Sequence, residues 1–580
     1  MKLPQKQIVQ RIPQNSDVSP LLSSPELLKR VYINRGVKSD DDVNYTTHRL
    51  IPPEKFKNIN SSVELLSDAV MHQKKIIIVG DFDADGATGT AVAIRCLKGM
   101  GHSNISYKVP NRFQHGYGLS SNLVKEIIAE SPDLIITVDN GISSVEGVKI
   151  AQDNDIAVLI TDHHLPGKVL PAADAILNPN VLISEFPSRN LAGVGVVYYL
   201  MIALRKYLRE KKWFYKNDLK EPNMGDFLDL VALGTIADLV PLDFNNRVLV
   251  EQGLRRIREG RCNKAILTLL ALGNRIYSNV VASDLGFIVA PRINAAGRLD
   301  DISVGIECLV SDDVAKVEEF ASQLDILNVT RKKMQKNMQS QARQILDETN
   351  IDSVQTSAIC IYDERWNQGI VGILASSIKE KYNVPVIAFA DFDDEKVKGS
   401  GRSVQGVHIR DAIARVSAKK DELIEKFGGH AMAAGLTIKK NNLKQFEKEL
   451  NNAIAEMWPL RETADVIKTD GSLQDSEFSM QNAQLLRFSG PWGQGFEEPC
   501  FDNIFQLVSH KYLGDEHLKI RVSTTTNDKL EFDAIVFNYK RYNWLENIEF
   551  VHLVYHIEVN KFQGRETLQL RVIYLEPSAG

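Results

Sequence analysis

Five short apolar runs, at residues 75–79, 104–109, 133–139, 156–160 and 173–177, alternate with stretches of helical spacing at 89–100, 120–130 and 144–154. Further helical patterns follow at 194–211 and 227–238. Strands that alternate with helices build βαβ units, so this third of the chain is expected to fold as a parallel sheet covered by helices. In such a sheet the carboxyl ends of the strands open on one crevice, which is where ligands gather. Three of the runs end in chemistry. Asp81, Asp83 and Asp85 follow the first in Gly80-Asp-Phe-Asp-Ala-Asp-Gly86, Asp139 ends the third, and Asp162-His163-His164 follows the fourth.

Three carboxylates at alternating positions repel one another unless cations are present. Carboxylate oxygens suit hard divalent cations and imidazole adds affinity for manganese-like ions, so the mixture points to Mn²⁺ or Mg²⁺. A solvated acidic turn would carry the same triplet on its own; the other acids and histidines at the same sheet edge argue for metal. The triplet also resembles the start of a calcium loop. That loop needs a Glu at its twelfth position, where this chain has Val92, and a helix ahead of it. Neither GxxxxGK[ST] nor GxGxxG follows the first strand, which excludes a P-loop and a dinucleotide fingerprint. Asp238, in Leu233-Gly-Thr-Ile-Ala-Asp-Leu-Val-Pro241, ends an apolar helical run and is either a turn former or a further ligand.

Downstream, apolar residues recur every three or four positions over 311–348, which predicts one long helix. A second α/β stretch spans about 353–457, with strands near 358–362 and 385–389. From about 459 the pattern becomes short β runs, at 504–508, 517–522, 530–537, 551–559 and 567–574, which suggests a small barrel such as an OB fold. A chain of 580 residues exceeds what one core sustains. The expected division is an N-terminal segment at 1–45, a catalytic domain at 46–305, a connecting helix at 306–350, a second α/β domain at 351–458 and the barrel at 459–580.

With 44% hydrophobic and 25% charged residues and no apolar run near the roughly 18 needed to cross a bilayer, a soluble protein is expected. The basic N-terminus lacks the apolar core of a secretory signal, so the expected location is cytoplasmic, with no membrane partner. The five cysteines form no CxxC pair and read as reduced. The net charge of −5 does not exclude a nucleic-acid partner, because bound cations would offset an acidic ligand cluster.

Asp-Phe-Asp-Ala-Asp-Gly, Val138-Asp-Asn-Gly141, Thr161-Asp-His-His164 and Gly234-Thr-Ile-Ala-Asp-Leu-Val-Pro-Leu242 resemble, in order and spacing, the four motifs of the DHH family of phosphoesterases. The resemblance continues through Pro291-Arg-Ile-Asn-Ala-Ala-Gly-Arg298, Trp366-Asn-Gln-Gly-Ile-Val-Gly-Ile373, Gly399-Ser-Gly-Arg-Ser403, Phe427-Gly-Gly-His-Ala-Met-Ala-Ala-Gly435 and Pro491-Trp-Gly-Gln-Gly495. These are similar to the 5′→3′ single-stranded-DNA exonuclease branch of that family. The resemblance implies an α/β architecture: a parallel-sheet DHH phosphoesterase domain, a long connecting helix, a DHH-associated domain and a C-terminal OB-fold β-barrel.

It further implies two ions, Mn²⁺ or Mg²⁺, one held by Asp85, Asp139, His163 and Asp238 and the other by Asp81, Asp83 and Asp139. His164, with Asp162, would act at the scissile phosphate. Arg292, Asn294, Arg298, Ser400, Arg402, Gly428, Gly429 and His430 would grip the strand. The implied partners are single-stranded DNA, a single-strand-binding protein and a RecQ-type helicase, in recombination and repair. Asn367 and Val384 depart from the family pattern, which has histidine and arginine there. Two rivals remain: another DHH phosphodiesterase acting on pyrophosphate, cyclic dinucleotides or short RNA, and a non-catalytic single-strand-binding replication factor.

Overall fold

The computed structural model describes residues 6–12, 23–111, 115–348, 356–458, 466–514, 517–537, 539, 545, 548–562 and 564–579. The expected limits near 350–353 and 459 lie outside the described residues. The chain divides into two compact units, one of residues 7–293, 302–321 and 466–580, the other of 294–301 and 322–465.

In the first unit β1 (Ile76–Gly80), β2 (Ile105–Lys108), β3 (Leu134–Val138), β4 (Ala157–Thr161) and β5 (Ala175–Leu177) form a parallel sheet in the order β2-β1-β3-β4-β5. Each expected strand is present, displaced by no more than two residues at either end. β1 and β3 are buried along their whole length, as near-continuous Ile/Val/Leu runs covered on both faces must be. Ile77, Val79, Ile135, Val158 and Ile160 pack with residues of α2 (Ser121–Ile128) and α3 (Val145–Gln152). The alternate residues Ile76, Ile78, Leu134 and Ile136 are equally buried, so the opposite face is covered too. α1 (Ala84–Gly99), α4 (Gly193–Glu210) and α5 (Leu228–Ala237) pack against one another. Apart from Asp229 and Thr235, α5 is apolar all round, and each of its residues from Leu228 to Ile236 is buried.

One boundary differs from expectation in a way that matters. The helix expected from residue 89 begins at Ala84, because Asp83 caps it, its side chain accepting the N–H groups of Asp85 (3.0 Å) and Gly86 (3.1 Å). The acidic triplet is therefore a strand end, a cap and a first helical turn rather than an open loop.

The barrel belongs to the same unit. β11 (Phe501–Leu513), β12 (His517–Thr524), β13 (Glu531–Val536), β14 (Phe550–Phe562) and β15 (Arg565–Ser578) close in the order β11-β12-β13-β15-β14, antiparallel except for β13 with β15. Phe501, Phe505, Ile520, Val522, Ala534, Leu553, Tyr555 and Leu570 are buried, and Phe478 stacks on Phe532 at 4.6 Å between centroids. Near the chain start, Gln7–Gln10 pairs in parallel with Val466–Thr469. There Arg35 and Asp470 form an ion pair whose side chains are 1% and 0% exposed.

The long helix α7 (Val314–Glu348) runs from the first unit into the second. The second unit's sheet has the order β9 (Lys426–Gly429), β10 (Ala433–Lys439), β8 (Lys396–Arg402), β7 (Val386–Asp391), β6 (Ile359–Tyr362). Only β6 and β7 were legible as strands. The other three carry Gly399-Ser-Gly401, Gly428-Gly429 and Gly435, and glycine reads as loop when no partner strand is in view. One core joins the sheet to α9 (Ile409–Lys419) and α10 (Leu443–Met457), another to α8 (Val371–Tyr382) and to Met338, Ala342 and Leu346 of α7. No helix among the described residues is long and apolar enough to cross a membrane.

Candidate metal centre

Strand register places the reactive side chains. Gly80 pairs with Val138, Val138 with Thr161 and Thr161 with Leu177, so these four form one row across the sheet. The next residue on each strand is Asp81, Asp139, Asp162 or Asn178. With strands about 4.8 Å apart, four polar residues thus stand side by side one step beyond the last row.

Asp81 is 4% exposed and its Oδ1 accepts the Phe82 N–H at 2.7 Å. Asp85, in the first turn of α1, is 1% exposed and receives the start of α4: Gly193 N–H donates to its Oδ2 at 2.6 Å and Val194 N–H to its Oδ1 at 2.9 Å. A carboxylate at a helix N-terminus meets free N–H groups and the positive end of the dipole. Even so, burial and the neighbouring Asp83 charge push the Asp85 carboxyl up to about 7.

Asp139 takes the left-handed conformation, φ +63°, with its N–H donated to Thr161 O at 3.0 Å. Its Oδ1 lies 3.1 Å from His163 Nε2, and both atoms are buried without a hydrogen-bond partner. His163 Nε2 is also 3.4 Å from Asp238 Oδ2 and 4.0 Å from Asp85 Oδ2. Burial, then the charge of His164, lowers His163 to about 4, so its imidazole is neutral and a ring nitrogen is free to ligate. Burial and the surrounding carboxylates, led by Asp85, raise Asp139 and Asp238 well above the ordinary range.

Asp162 organises the two histidines. Its Oδ1 accepts the backbone N–H of His163 (2.7 Å) and His164 (3.0 Å) and lies 2.7 Å from His164 Nδ1, while its Oδ2 accepts Ile142 N–H at 2.9 Å. Burial alone would raise Asp162, but His164 and the backbone donors outweigh it and hold the carboxyl below its usual value. Burial would likewise lower His164; the hydrogen bond and charge of Asp162, with Asp81 and Asp238, reverse this and lift it to about 9. One histidine is thus neutral beside Asp139 and the other cationic on Asp162. Tyr117 lies at the same place, its hydroxyl 3.2 Å from Asp139 O and 3.3 Å from the His164 ring.

Donor atoms of Asp85, His163 and Asp238 lie within 4.8 Å of one another, as do those of Asp81, Asp83 and Asp139 and those of Asp139, His163 and His164. Neighbouring buried carboxylates, a neutral imidazole and two buried donor atoms without hydrogen bonds form an oxygen- and nitrogen-donor set that fits hard divalent cations.

Two parts of this construction were not read from sequence. Gly193 and Val194 supply the N–H donors for Asp85. Asn178 and Asn180 donate their side-chain amides to the carbonyls of His164 (2.9 Å) and His163 (2.5 Å). The signal for the asparagines was present, since Asn178-Pro-Asn180 follows the fifth strand as Asp162 follows the fourth. Nothing in Leu191-Ala-Gly-Val-Gly195 marks its first glycine as the partner of a residue more than a hundred positions away.

The expected strand-gripping residues are divided between the units. Arg292, in the first, is 7% exposed and donates to Ile288 O (2.6 Å) and Leu272 O (3.4 Å). In the second, Arg298 donates to Gly369 O at 3.2 Å and Arg402 to Ser400 Oγ at 3.1 Å; Asn294 belongs to this unit as well. Ser400 pairs with Gly435 and Gly435 with Gly428, and His430, at the turn after Gly429, is exposed. Of the two departures, Asn367 Oδ1 accepts Gly369 N–H at 2.8 Å and Val384 is buried in the core against α8.

A parallel sheet with this cluster on its carboxyl edge defines a metal-dependent phosphoesterase of the DHH type, and residues 75–235 match the family model described as the DHH family, N-terminal domain. Residues 352–456 match the DHHA1 domain and 469–574 the RecJ OB domain. The single-stranded-DNA-specific exonuclease RecJ of Salmonella typhimurium is 48% identical over 94% of this chain and 95% of its own length. That of Escherichia coli K12 is 45% identical over 95% and 96%. Among solved structures, RecJ of Thermus thermophilus in complex with Mn²⁺ superposes with a TM-score of 0.80 at 25% identity, over 99% of this chain and 80% of that one. The chain belongs to the RecJ family.

Proposed function

We propose that this protein is a metal-dependent exonuclease that hydrolyses single-stranded DNA from its 5′ end to mononucleotides, with two ions of Mn²⁺ or Mg²⁺. The observation that carries the reading is the buried pair Asp139 Oδ1 and His163 Nε2, 3.1 Å apart and each without a hydrogen bond, amid carboxylates that burial and mutual repulsion hold above their ordinary range. Family membership supplies the substrate: the relatives at 48% and 45% identity are single-stranded-DNA-specific exonucleases.

Asp85, Asp139, His163 and Asp238 would hold one ion and Asp81, Asp83 and Asp139 the other, with Asp139 serving both. When bound, the ions lower the pKa of water and offset charge on the reacting phosphate. His164, cationic through Asp162, donates to a non-bridging oxygen of the scissile phosphate. Neutral His163 keeps a lone pair for its ion. Arg292, Asn294, Arg298, Ser400, Arg402 and the Gly428-Gly429-His430 turn bind the strand, with the barrel as a further single-strand surface. The domain division at 45, 305, 350 and 458 belongs to the same reading. So do a cytoplasmic location, supported by five free thiols, and a RecQ-type helicase and a single-strand-binding protein as neighbours, since a 5′ single strand has to be unwound and kept open.

The test is initial rates with Mn²⁺ or Mg²⁺ on labelled duplexes carrying a 5′ overhang, a 3′ overhang or blunt ends, beside an RNA dinucleotide and pyrophosphate. Rapid release of 5′ mononucleotides from the 5′ overhang alone is expected. Preference for the 3′ overhang would refute the polarity, and turnover only of pyrophosphate or the dinucleotide would move the chain to another DHH activity.

A further inference from the structure

The carboxylates of the metal centre are held in different ways. Asp81, Asp83, Asp85 and Asp162 each receive backbone N–H groups. The Asp238 carboxylate takes no hydrogen bond among the described residues; its Oδ2 lies 3.4 Å from His163 Nε2. Its place is therefore set by the backbone. Asp238 caps α5, with its N–H on Gly234 O at 3.0 Å, and the next residue, Leu239, is left-handed at φ +57° and 72% exposed. A leucine in that conformation persists only where the flanking chain enforces it.

What enforces it lies on both sides. From its own side, α6 (Phe244–Arg258) supplies Asn246 Nδ2 to Pro241 O (3.0 Å) and Arg247 Nη1 to Leu242 O (2.9 Å). From the other comes the loop that leads into the barrel. Leu242 N–H donates to Gln494 O at 2.7 Å. A Cβ on Gly493 would stand 2.8 Å from Leu242 Cδ1 and 4.0 Å from Ile236 Cδ1, so the loop backbone lies directly on the side chains flanking Asp238. The loop is rigid in itself: Gly493 and Phe496 exchange N–H···O bonds of 2.9 and 3.1 Å, and Trp492 stacks on Phe496 at 5.1 Å. Phe496 is 1% exposed beneath the Arg247 guanidinium, 4.3 Å from its ring centre. The first barrel strand begins at Phe501.

We infer that the Trp492–Phe496 loop positions Asp238, with Gly493 and Gln494 acting through Leu242 as positioning residues, so that metal occupancy and the root of the barrel are thermodynamically linked. This rests on Asp238 being a metal ligand. Linkage is reciprocal: whatever the loop does for metal affinity, bound metal does for the loop.

The experiment uses the full chain and Mn²⁺ alone, without DNA. Hydrogen exchange should slow on Mn²⁺ addition in peptides covering 81–86, 239–242 and 491–496. In D238A the slowing at 491–496 should vanish while some remains at 81–86. By calorimetry, G493V should raise the Mn²⁺ dissociation constant by about tenfold or more, the scale on which groups supporting a ligand act. Adding L242A to G493V, which removes the atom the valine would meet, should restore most of the affinity, an effect that mere loss of folding would not show. Protection at 81–86 with none at 491–496 in the unmodified chain would overturn the inference, and that arm stands even where G493V does not fold. Unchanged Mn²⁺ affinity in D238A would overturn the assignment of Asp238 as a ligand, and the inference with it.

Discussion

Gly193 lies so close to Asp139 that a Cβ on it would fall 2.4 Å from the Asp139 Cβ and 2.7 Å from its Oδ1. Helix α4 therefore reaches the metal centre at a residue with no side chain, and the same residue's N–H serves Asp85. Gly193→Ala should displace Asp139 rather than simply crowd a core. A shift of about 1 Å at a reacting centre costs on the order of 100-fold in rate, and overpacking costs about 1–3 kcal/mol of stability. Turnover and urea unfolding of the same preparation check both. A near-normal rate would mean that Asp139 can move without consequence.

The ion pair between Arg35 and Asp470 gives a prediction away from the chemistry. Arg35 Nη1 and Nη2 donate to Asp470 at 2.8 and 2.9 Å, Asn34 adds a bond of 3.0 Å and Cys500 N–H another of 3.0 Å. Removing one partner of such a pair leaves a buried charge alone, at a cost of about 3–5 kcal/mol. Asp470→Ala should lower the midpoint of urea unfolding accordingly, while the Mn²⁺ affinity of the folded fraction stays the same. A loss under about 1 kcal/mol, the scale of an ordinary exposed pair, would show that Arg35 finds another partner.

How far the sequence could be read follows the range over which each signal acts. Period-2 and period-3.6 patterns are local, so β1, β3 and β4 and the acids at their ends were legible, as was α7. What depends on a distant neighbour was not. Lys426–Gly429 pairs with Ala433–Lys439, and Lys396–Arg402 lies between Ala433–Lys439 and Val386–Asp391, partners that neither segment announces by itself. Arg292, a strand contact by family resemblance, is buried with its guanidinium on the Ile288 and Leu272 carbonyls, a packing that its own segment does not announce. Asp238 was ambiguous from its own segment, because its neighbours Asp85 and His163 come from other elements.

The barrel offers an exposed aromatic beside basic residues. Phe537 is 53% exposed with His517 at 5.4 Å, and Lys519 and Arg521 of β12 are partnered by Asp533 and Glu531 at its surface. Stacking of one base on such a ring is worth about 1–3 kcal/mol. Phe537→Ala should therefore weaken binding of a long single strand by about 5-fold or more in a fluorescence titration, with hydrolysis of a very short strand unchanged. Equal losses on both lengths would place Phe537 in a different role.

The last prediction isolates the electrostatic tension at the centre. Asp139 sits at φ +63°, a conformation that asparagine tolerates and alanine does not, so Asp139→Asn removes the charge with little strain on the backbone. Burial, then Asp85 and the other carboxylates, raises the Asp139 carboxyl well above its ordinary value in the metal-free protein. The folded chain then holds a proton that the unfolded chain has released, so stability falls as pH rises from the ordinary carboxylate value through the raised one. His163, lowered to about 4, works in the opposite direction but is present in both proteins. In EDTA, Asp139→Asn should therefore be the more stable of the two, by a margin that widens from pH 5 to pH 8. With Mn²⁺ the order should reverse, because binding requires the ionised carboxylate and adds its free energy only to the unmodified chain. Thermal unfolding of both proteins at pH 5, 6.5 and 8, with EDTA and with Mn²⁺, checks the sign in each condition. If the metal-free margin narrowed with rising pH, the Asp139 carboxyl would be ionised at little cost without metal, and the argument that cations are needed to hold these acids together would fail.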